Sequence, residues 1–245
     1  MKKNVTAILQ EYQNRFHPVV SFHAEKDKLL LMDFTKNNQE ISEELVNDTQ
    51  RFANYINKKL QLANGKFGIG GYNEYRELYS RSRVFDPEPG EEPRRLHLGT
   101  DIWGKHYTAV MSPCDGIVHS FAFNNRFGDY GATLVLSHNI EEVSFHTLYG
   151  HLSLNSIKNL REGEHVRRGD VIGEFGIPME NGQWPPHLHF QVVVDMEVPT
   201  LPGGRQGAIG RKGDYPGVCS LSEKERFLNN CPDPDLILQM MRHAT

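Results

Sequence analysis

The chain has 245 residues, enough for one large domain or for a domain with substantial extensions. Its 38% hydrophobic and 24% charged residues are ordinary for a globular protein, and its net charge of -4 gives no electrostatic reason to expect nucleic acid as a partner. No segment approaches the length of a transmembrane helix, so we expect no membrane insertion.

The N-terminal sequence, MKKNVTAILQEYQNRFHP, begins with two lysines but contains no apolar stretch long enough for a secretory signal. We therefore expect a cytoplasmic protein, or an extracytoplasmic one if it is exported by another route. The three cysteines, Cys114, Cys219 and Cys231, are irregularly spaced. This spacing predicts reduced structural thiols rather than a disulfide framework or a CxxC metal site.

Residues 1–85 form a predicted N-terminal extension that contains both helix and strand. Ser42 is a candidate N-cap for the helix predicted over residues 42–63, but the residue three positions later is Leu45 rather than the Glu or Gln of a capping box. The first residue of that helix therefore stays open. The predicted elements are a short amphipathic helix over residues 4–16, an apolar strand over 27–35 and a helix over 42–63.

After an acidic, proline-rich loop at residues 86–93, the pattern changes to short strands bounded by turns. We predict a mainly β domain over residues 86–198, with an antiparallel core of closed or sandwich shape. Residues 199–245 are predicted to form a C-terminal extension, a long loop followed by a helix that packs on the core. The candidate strands are YTAVMSP, GIVHSFAF, ATLVLSH, VSFHTLYGHL, DVIGEFG and HLHFQVVVD.

Two histidines in the segment WPPHLHF, His187 and His189, are separated by a single leucine. In a β-strand, residues two apart point to the same face, so the two imidazoles would lie side by side. Either a metal ion or a catalytic hydrogen-bond network would use such a pair. The alternative is a pair of half-buried strand histidines without chemistry.

A second candidate pair is His97 and Asp101 in HLGTD, whose even separation also places them on one face of a strand. Imidazole nitrogen and carboxylate oxygen are common zinc ligands. One further histidine would complete three protein ligands and leave a fourth position for water, the composition of a catalytic zinc site.

Taken in order, HLGTD, LYGHLS at residues 148–153 and HLHFQ resemble the motifs of the lysostaphin-type (LytM-like, M23) zinc metallopeptidases. The segments MSPCDGIV and LREGEHVRRGDVIGEFG also resemble parts of that family. The resemblance covers about residues 95–196 and implies an antiparallel β core of the lysostaphin/LytM type. More distantly, the whole chain resembles a bacterial subgroup whose relatives also occur fused to aminotransferase and small-molecule kinase domains.

By this resemblance, zinc would be held by His97, Asp101 and His189, and His151 and His187 would be an unliganded catalytic pair. The implied reaction is hydrolysis of a peptide bond by zinc-activated water, with peptidoglycan cross-links as the substrate.

Two further residues are candidates for substrate binding. Trp184, followed by Pro185 and Pro186, would shape the mouth of the site. Tyr149 lies two residues before His151 and could reach the pocket, although packing is the alternative. The remaining histidines receive no role and are expected on the surface or satisfied in the core.

Other functions stay open at this level. The bulky loop ENGQWPP replaces the small residues that the family commonly has before its HxH motif, and the N-terminal sequence gives no reason to expect a secretory signal. A cytosolic zinc amidase acting on a small peptide or metabolite is one alternative. A non-catalytic binding module on the same fold is another, and a phosphocarrier or lipoyl-like module is a third, although no lysine suits a lipoyl attachment site.

Overall fold

The computed structural model describes residues 4–86, 90–197 and 213–245, and short strands dominate the part that holds the histidine motifs. The strands are β1 Leu29–Leu31, β2 Phe67–Gly70, β3 Leu96–His97, β4 Thr100–Trp103, β5 Ala109–Met111, β6 Gly116–Asn124, β7 Gly131–Ile140, β8 Val143–Leu152, β9 His165–Val166, β10 Val171–Glu174, β11 His187–Val193 and β12 Val218–Cys219. The helices are α1 Val5–Tyr12, α2 Glu43–Asn47, α3 Thr49–Ala63, α4 Leu154–Ile157, α5 Lys224–Asn230 and α6 Asp235–Leu238.

Eight strands form the central sheet in the order β1-β2-β4-β11-β8-β7-β6-β9. Only the β1–β2 pair at one edge is parallel, and every other pair in this sheet is antiparallel. Two small two-stranded sheets, β10–β5 and β12–β3, complete the described strands. The predicted mainly β, antiparallel core is therefore confirmed.

Strand β11 explains how the sheet separates a packed face from a polar face. Leu188 and Phe190 point into the largest apolar cluster, where Ile8 and Leu9 of α1 also pack. The alternate residues His187 and His189 point to the other face, as expected from the two-residue period of a strand. All seven residues of β11 are buried, so both of its faces are covered.

The predicted N-terminal extension shares this sheet. Strand β2 pairs with β4, with Gly70 opposite Asp101, and β1 adds beyond it. The C-terminal region contributes as well, because Ile237 and Leu238 lie in the same apolar cluster as α1 and β11. The predicted boundaries at residues 85 and 198 thus separate segments that share one core.

The helix predicted over residues 42–63 is divided into α2 and α3. Asp48 lies between them with an extended backbone, and its side chain accepts a hydrogen bond from the N–H of Arg51. Ser42 is the N-cap of α2 and accepts from the N–H of Leu45. The apolar stripe of α3 is buried, at Phe52, Ile56 and Leu60.

The C-terminal helix is also divided, because α6 is followed by a separate 3₁₀ turn at Met241–His243. The long loop predicted at the start of the C-terminal extension lies largely outside the described residues.

Candidate metal centre

Three strands bring His97, Asp101 and His189 together. In the antiparallel pair β4–β11, His189 lies directly opposite Asp101. His97 ends β3 rather than sharing a strand with Asp101, because the strand is interrupted at Leu98 and Gly99, which separate β3 from β4. A Cβ atom on Gly99 would lie 2.5 Å from Cε1 of His189, so glycine is needed there for the imidazole to reach the site.

The potential ligand atoms of these residues converge closely. The distance from Nε2 of His97 to Nδ1 of His189 is 2.9 Å, and Oδ1 of Asp101 lies 3.2 Å from Nδ1 of His189 and 3.4 Å from Nε2 of His97. All three side chains are buried. In the described part of the chain, they form the one cluster of three His, Cys, Asp or Glu side chains with this spacing.

Hydrogen bonds on the far side of each imidazole fix which nitrogen carries the proton. Nδ1–H of His97 donates to the carbonyl of Gly71 over 2.9 Å, since a carbonyl oxygen can only accept. The amide of Gln191 donates to the carbonyl of Pro216, which leaves its Oε1 to accept from Nε2–H of His189 over 2.9 Å. The two inward nitrogens therefore carry lone pairs.

This donor set fits a divalent cation such as Zn²⁺. Two imidazole lone pairs and one carboxylate oxygen face each other at van der Waals contact or closer, and a cation between them would turn mutual repulsion into attraction. Zinc with bonds of about 2.0–2.1 Å in a tetrahedral arrangement separates its ligands by roughly 3.3–3.4 Å, close to the distances found here. The outer hydrogen bonds to both rings are the kind that orient metal-ligating histidines.

Arg76 holds the other oxygen of the Asp101 carboxylate. Its Nη1 lies 2.6 Å from Oδ2 of Asp101, and its Nε lies 2.6 Å from Oε1 of Glu74. Burial alone would raise the pKa of Asp101, but His97 and the guanidinium lower it well below its ordinary value. Burial and the same guanidinium lower the pKa of His97 to about 3, so its imidazole is neutral.

His151 and His187 lie beside the cluster, with ring centroids 4.2 Å apart. Nδ1–H of His151 donates to the carbonyl of Asn181 and Nδ1–H of His187 to that of Pro185, each over 2.7 Å. Burial lowers the pKa of His187 to about 4 and that of His151 well below its ordinary value, the latter reinforced by His187 and then His189. Both rings are therefore neutral, with a lone pair on Nε2.

A β-bulge directs His151 to this face of the sheet. The β7–β8 register shifts between Ala132 and Leu134, and His151 adopts a left-handed backbone with φ of 62°. Its N–H donates to the carbonyl of Tyr130 instead of continuing the regular ladder. The extra residue reverses the alternation of side chains from this point on.

The same bulge corrects the expectation for Tyr149. Its ring packs on Phe190 in the apolar cluster on the opposite face, and its hydroxyl lies 3.0 Å from Oγ1 of Thr147. Tyr149 is thus a core residue that is not brought to the site, because the two-residue period does not extend through the bulge to His151. Trp184, in contrast, lies beside the histidine pair, with its ring 6.1 Å from that of His151 and 6.4 Å from that of His187.

Four residues that were not predicted from the sequence complete the surroundings of the site. Gln191 follows His189 by two positions on the same strand, a periodicity that could have indicated it. Trp103 stacks on His187 with centroids 4.0 Å apart, and Tyr130 packs against His151 and His189. No local pattern indicates Arg76, since it comes from the N-terminal segment.

Comparison with known proteins identifies this part of the chain. Residues 95–200, which include both histidine motifs and the aspartate, match the sequence model of peptidase family M23. This segment is a family M23 peptidase domain. The predicted family is confirmed for this segment. The expected link to aminotransferase and kinase fusion proteins is not tested and stays a prediction.

Two curated relatives match about half of the chain. The L-Ala--D-Glu endopeptidase of Bacillus subtilis is 32% identical over 145 residues, covering 56% of this chain and 42% of the relative. A protein of Haemophilus influenzae named "Uncharacterized metalloprotease" is 30% identical over 151 residues, covering 54% of this chain and 28% of the relative. The chain thus spans less than half the length of either relative.

Two solved structures of peptidases are also similar. A zinc containing peptidase from Vibrio cholerae is 30% identical, with 46% of this chain and 31% of that chain covered and a TM-score of 0.34. The catalytic domain of lysostaphin from Staphylococcus simulans is 21% identical, with 65% and 92% covered and a TM-score of 0.37. In the described ranges, no helix has the length and apolar character needed to cross a membrane.

Proposed function

We propose that the M23 domain of this chain is a zinc-dependent peptidase that hydrolyses an amide bond in peptides of the peptidoglycan type. The observation that carries this proposal is the convergence of Nε2 of His97, Oδ1 of Asp101 and Nδ1 of His189 next to a second, neutral histidine pair. The name of the Bacillus relative, an L-Ala--D-Glu endopeptidase, supports the choice of substrate class.

His97, Asp101 and His189 would hold the ion. Bound zinc would act as a Lewis acid toward the scissile carbonyl and make water a better nucleophile near neutral pH. The ionised Asp101 carries a negative charge that partly balances the ion, and Arg76 keeps its second oxygen occupied. The chain would therefore present one carboxylate oxygen and two imidazole nitrogens to the cation.

His151 and His187 would handle the protons. Each donates Nδ1–H to a backbone carbonyl, so each ring is held in one orientation with Nε2 free to accept a proton. Nε2 of His187 lies 3.9 Å from Oδ1 of Asp101, which places it beside the ligand set. One imidazole can accept a proton from the attacking water at Nε2, donate a hydrogen bond to the developing oxyanion as an imidazolium, and later pass that proton to the leaving amine, while its neutral neighbour accepts a hydrogen bond from the water.

A second candidate substrate is a free small peptide or amide rather than the cell-wall polymer. This candidate is favoured because the site is enclosed by the protein. None of the five site residues is more than 6% exposed. A polymer needs an open groove, whereas a short peptide needs only local opening. Parallel assays on intact sacculi and on short muropeptides separate the two substrates.

The test combines metal analysis with hydrolysis. We expect about one zinc per chain in the purified, zinc-supplied protein and a loss of that zinc in His189→Ala. His187→Gln should retain the metal while the rate falls on the order of 10²- to 10⁴-fold, the usual contribution of a general acid–base group. The exposed His106 lies outside the site, so His106→Ala is the matched control and should keep both metal and rate. Absence of zinc from the wild-type protein would contradict the proposal.

A further inference from the structure

Arg81 is a buried cation at the edge of the site, and it comes from outside the matched M23 region. It ends the 3₁₀ turn Glu77–Arg81 and is only 8% exposed. Its guanidinium carbon lies 4.7 Å from the ring centroid of Phe127 and 4.5 Å from that of Trp184. Because Trp184 also contacts the rings of His151 and His187, a single aromatic side chain separates Arg81 from the catalytic pair.

The guanidinium is only partly satisfied by the protein. Nη2 donates to Oγ1 of Thr49 over 3.2 Å and to the carbonyl of Gln183 over 3.3 Å. Nε and Nη1 are buried and have no hydrogen-bond partner among the residues that the structure describes. Neither acceptor of Nη2 is a carboxylate, so the positive charge is not balanced there. Arg76, by contrast, is paired with both Glu74 and Asp101.

Unpartnered polar atoms are concentrated around this site. Within the described residues, six buried side-chain polar atoms lack a partner, and five of them belong to Arg81, Trp103, Trp184 and Tyr130. Four of these five are N–H donors that cannot accept. Buried donors are nearly always satisfied in folded proteins, and an unpaired buried charge is especially costly. The arrangement is what a site needs if the missing acceptor arrives with a ligand.

We propose that Arg81 binds a carboxylate of the substrate, so that the preferred substrate is an acidic peptide. The inference rests on the proposed peptidase function and adds to it a determinant of specificity. A carboxylate supplies both the negative charge and the acceptor oxygens that the guanidinium lacks. Burial lowers the pKa of Arg81 to about 10, which still leaves the side chain charged at neutral pH.

The geometry limits where this carboxylate lies along the peptide. The two ring distances on either side of Trp184 allow at most about 11 Å between the guanidinium and the His187 ring, and an extended residue spans roughly 3.3–3.6 Å. The carboxylate would therefore belong to a residue within about three positions of the scissile bond. A glutamyl side chain or a free α-carboxylate at such a position meets this requirement.

The experiment compares two short peptides that differ only in one group, a glutamyl residue near the scissile amide or its glutaminyl twin. Hydrolysis is measured for the zinc-loaded wild-type protein and for Arg81→Gln, Arg81→Lys and Arg83→Gln. Arg83 is exposed and two residues away, so Arg83→Gln is the matched control. Binding is measured separately in a His187→Gln background through fluorescence of the two tryptophans, Trp103 and Trp184, which both contact His187.

We expect the wild-type protein to favour the glutamyl peptide by on the order of 10- to 100-fold, mainly through KM, as for a charge-assisted hydrogen bond. Arg81→Gln should remove this preference, because it should lower hydrolysis of the glutamyl peptide far more than that of the glutaminyl peptide. Arg81→Lys should restore part of the preference, and Arg83→Gln should retain all of it.

Two results would overturn the inference. One is equal binding of both peptides to the wild-type background. The other is an equal loss for both peptides in Arg81→Gln together with a lowered Tm, which would make Arg81 a packing residue. If neither peptide is hydrolysed but the binding preference disappears only with Arg81→Gln, the carboxylate site stands and the peptidase function fails.

Discussion

At the scale of single residues, hydrogen-bond acceptors around the site determine which nitrogen of each imidazole is available. His97, His151 and His187 all donate Nδ1–H to a carbonyl and present Nε2. His189 is reversed, since it donates Nε2–H to Gln191 and presents Nδ1. The four rings thus direct their remaining nitrogens toward one small region. These hydrogen bonds are already formed in the folded protein, so orienting the rings would require no further free energy when the site acts.

Gln191 should therefore be needed for metal affinity, although it would not bind the ion itself and contacts His189 only at its outer nitrogen. In Gln191→Leu, Nε2–H of His189 loses its acceptor and the ring loses its fixed orientation. We expect zinc affinity to fall about 10- to 100-fold, as for other outer partners of metal-ligating histidines. Competition with a chromophoric zinc chelator measures it. Gln61 is exposed on α3, and Gln61→Leu serves as the control. Equal affinities in both variants would contradict this role.

His138, on β7 and outside the candidate metal cluster, should contribute to acid sensitivity. Its ring is buried, with Nε2 2.7 Å from Oγ1 of Thr147 and Nδ1 2.9 Å from the carbonyl of Asp115. Burial lowers its pKa to about 4, against roughly 6.5 in the unfolded chain. Between these values the unfolded state binds the extra proton, so the free energy of unfolding falls as pH decreases.

Urea unfolding at pH 7 and pH 5 tests this contribution. The wild-type protein should lose roughly 2 kcal/mol more between the two pH values than His138→Gln, which cannot take up that proton. The other buried histidines are present in both proteins and cancel in the comparison. Parallel losses in the two proteins would show that His138 is not responsible.

At the scale of elements, turns and caps decide where the regular patterns end. Asp48 stops α2 and begins α3 in what the apolar spacing predicts as one helix. The break at Gly99 separates β3 from β4 and lets the ring of His189 approach. The bulge at His151 turns its side chain toward the site. Each irregularity has a local cause, and two of the three shape the site directly.

The cap of α3 gives a stability prediction. Asp48→Ala removes the acceptor for the N–H of Arg51, and we expect the free energy of unfolding to fall by about 1 kcal/mol. Asp48→Asn keeps a capping oxygen and should lose much less. The ion pair of Asp48 with Arg51 is exposed and adds little. Urea denaturation of the three proteins is the measurement, and an unchanged midpoint in Asp48→Ala would refute the assignment.

These irregularities also explain which features of the fold and of the site could be predicted from the sequence. The period of two predicts the shared face of His187 and His189 because β11 is regular throughout. The same rule fails for Tyr149 because a bulge leaves no reliable mark in a single sequence. The ligand set comes from the family motifs rather than from spacing. Arg76 and Arg81 could not be predicted, since their approach to the site depends on long-range folding of the N-terminal segment.

At the scale of the whole molecule, the N-terminal segment and the M23 domain form one structure around the site. Strands β1 and β2 extend the sheet beyond β4. Arg76 reaches from the same segment to Asp101, and Tyr79 packs 6.1 Å from the ring of His97. Metal binding and the folding of this segment should therefore be linked.

Arg76→Met tests the linkage. The change leaves Asp101 buried with an unpaired oxygen, and removal of one partner of a buried ion pair costs about 3–5 kcal/mol. We expect this loss in the free energy of unfolding without zinc, and a smaller loss when zinc is bound, because the ion supplies part of the missing positive charge. Urea unfolding with and without zinc measures both. A loss below about 0.5 kcal/mol, the range of ordinary surface changes, would exclude the linkage.

The position of β11 has a consequence for the way the site moves. The strand lies between β4 and β8, hydrogen-bonded on both sides, with every residue buried. Its amide hydrogens should exchange with solvent only through openings that disrupt the whole sheet, and should be among the slowest in the molecule. We therefore expect β11, the strand that carries His187 and His189, to stay rigid while substrate enters. Any motion that admits a peptide belongs to the covering segments, the loop at Trp184 and the turn at Tyr79, on a timescale that is independent of global unfolding.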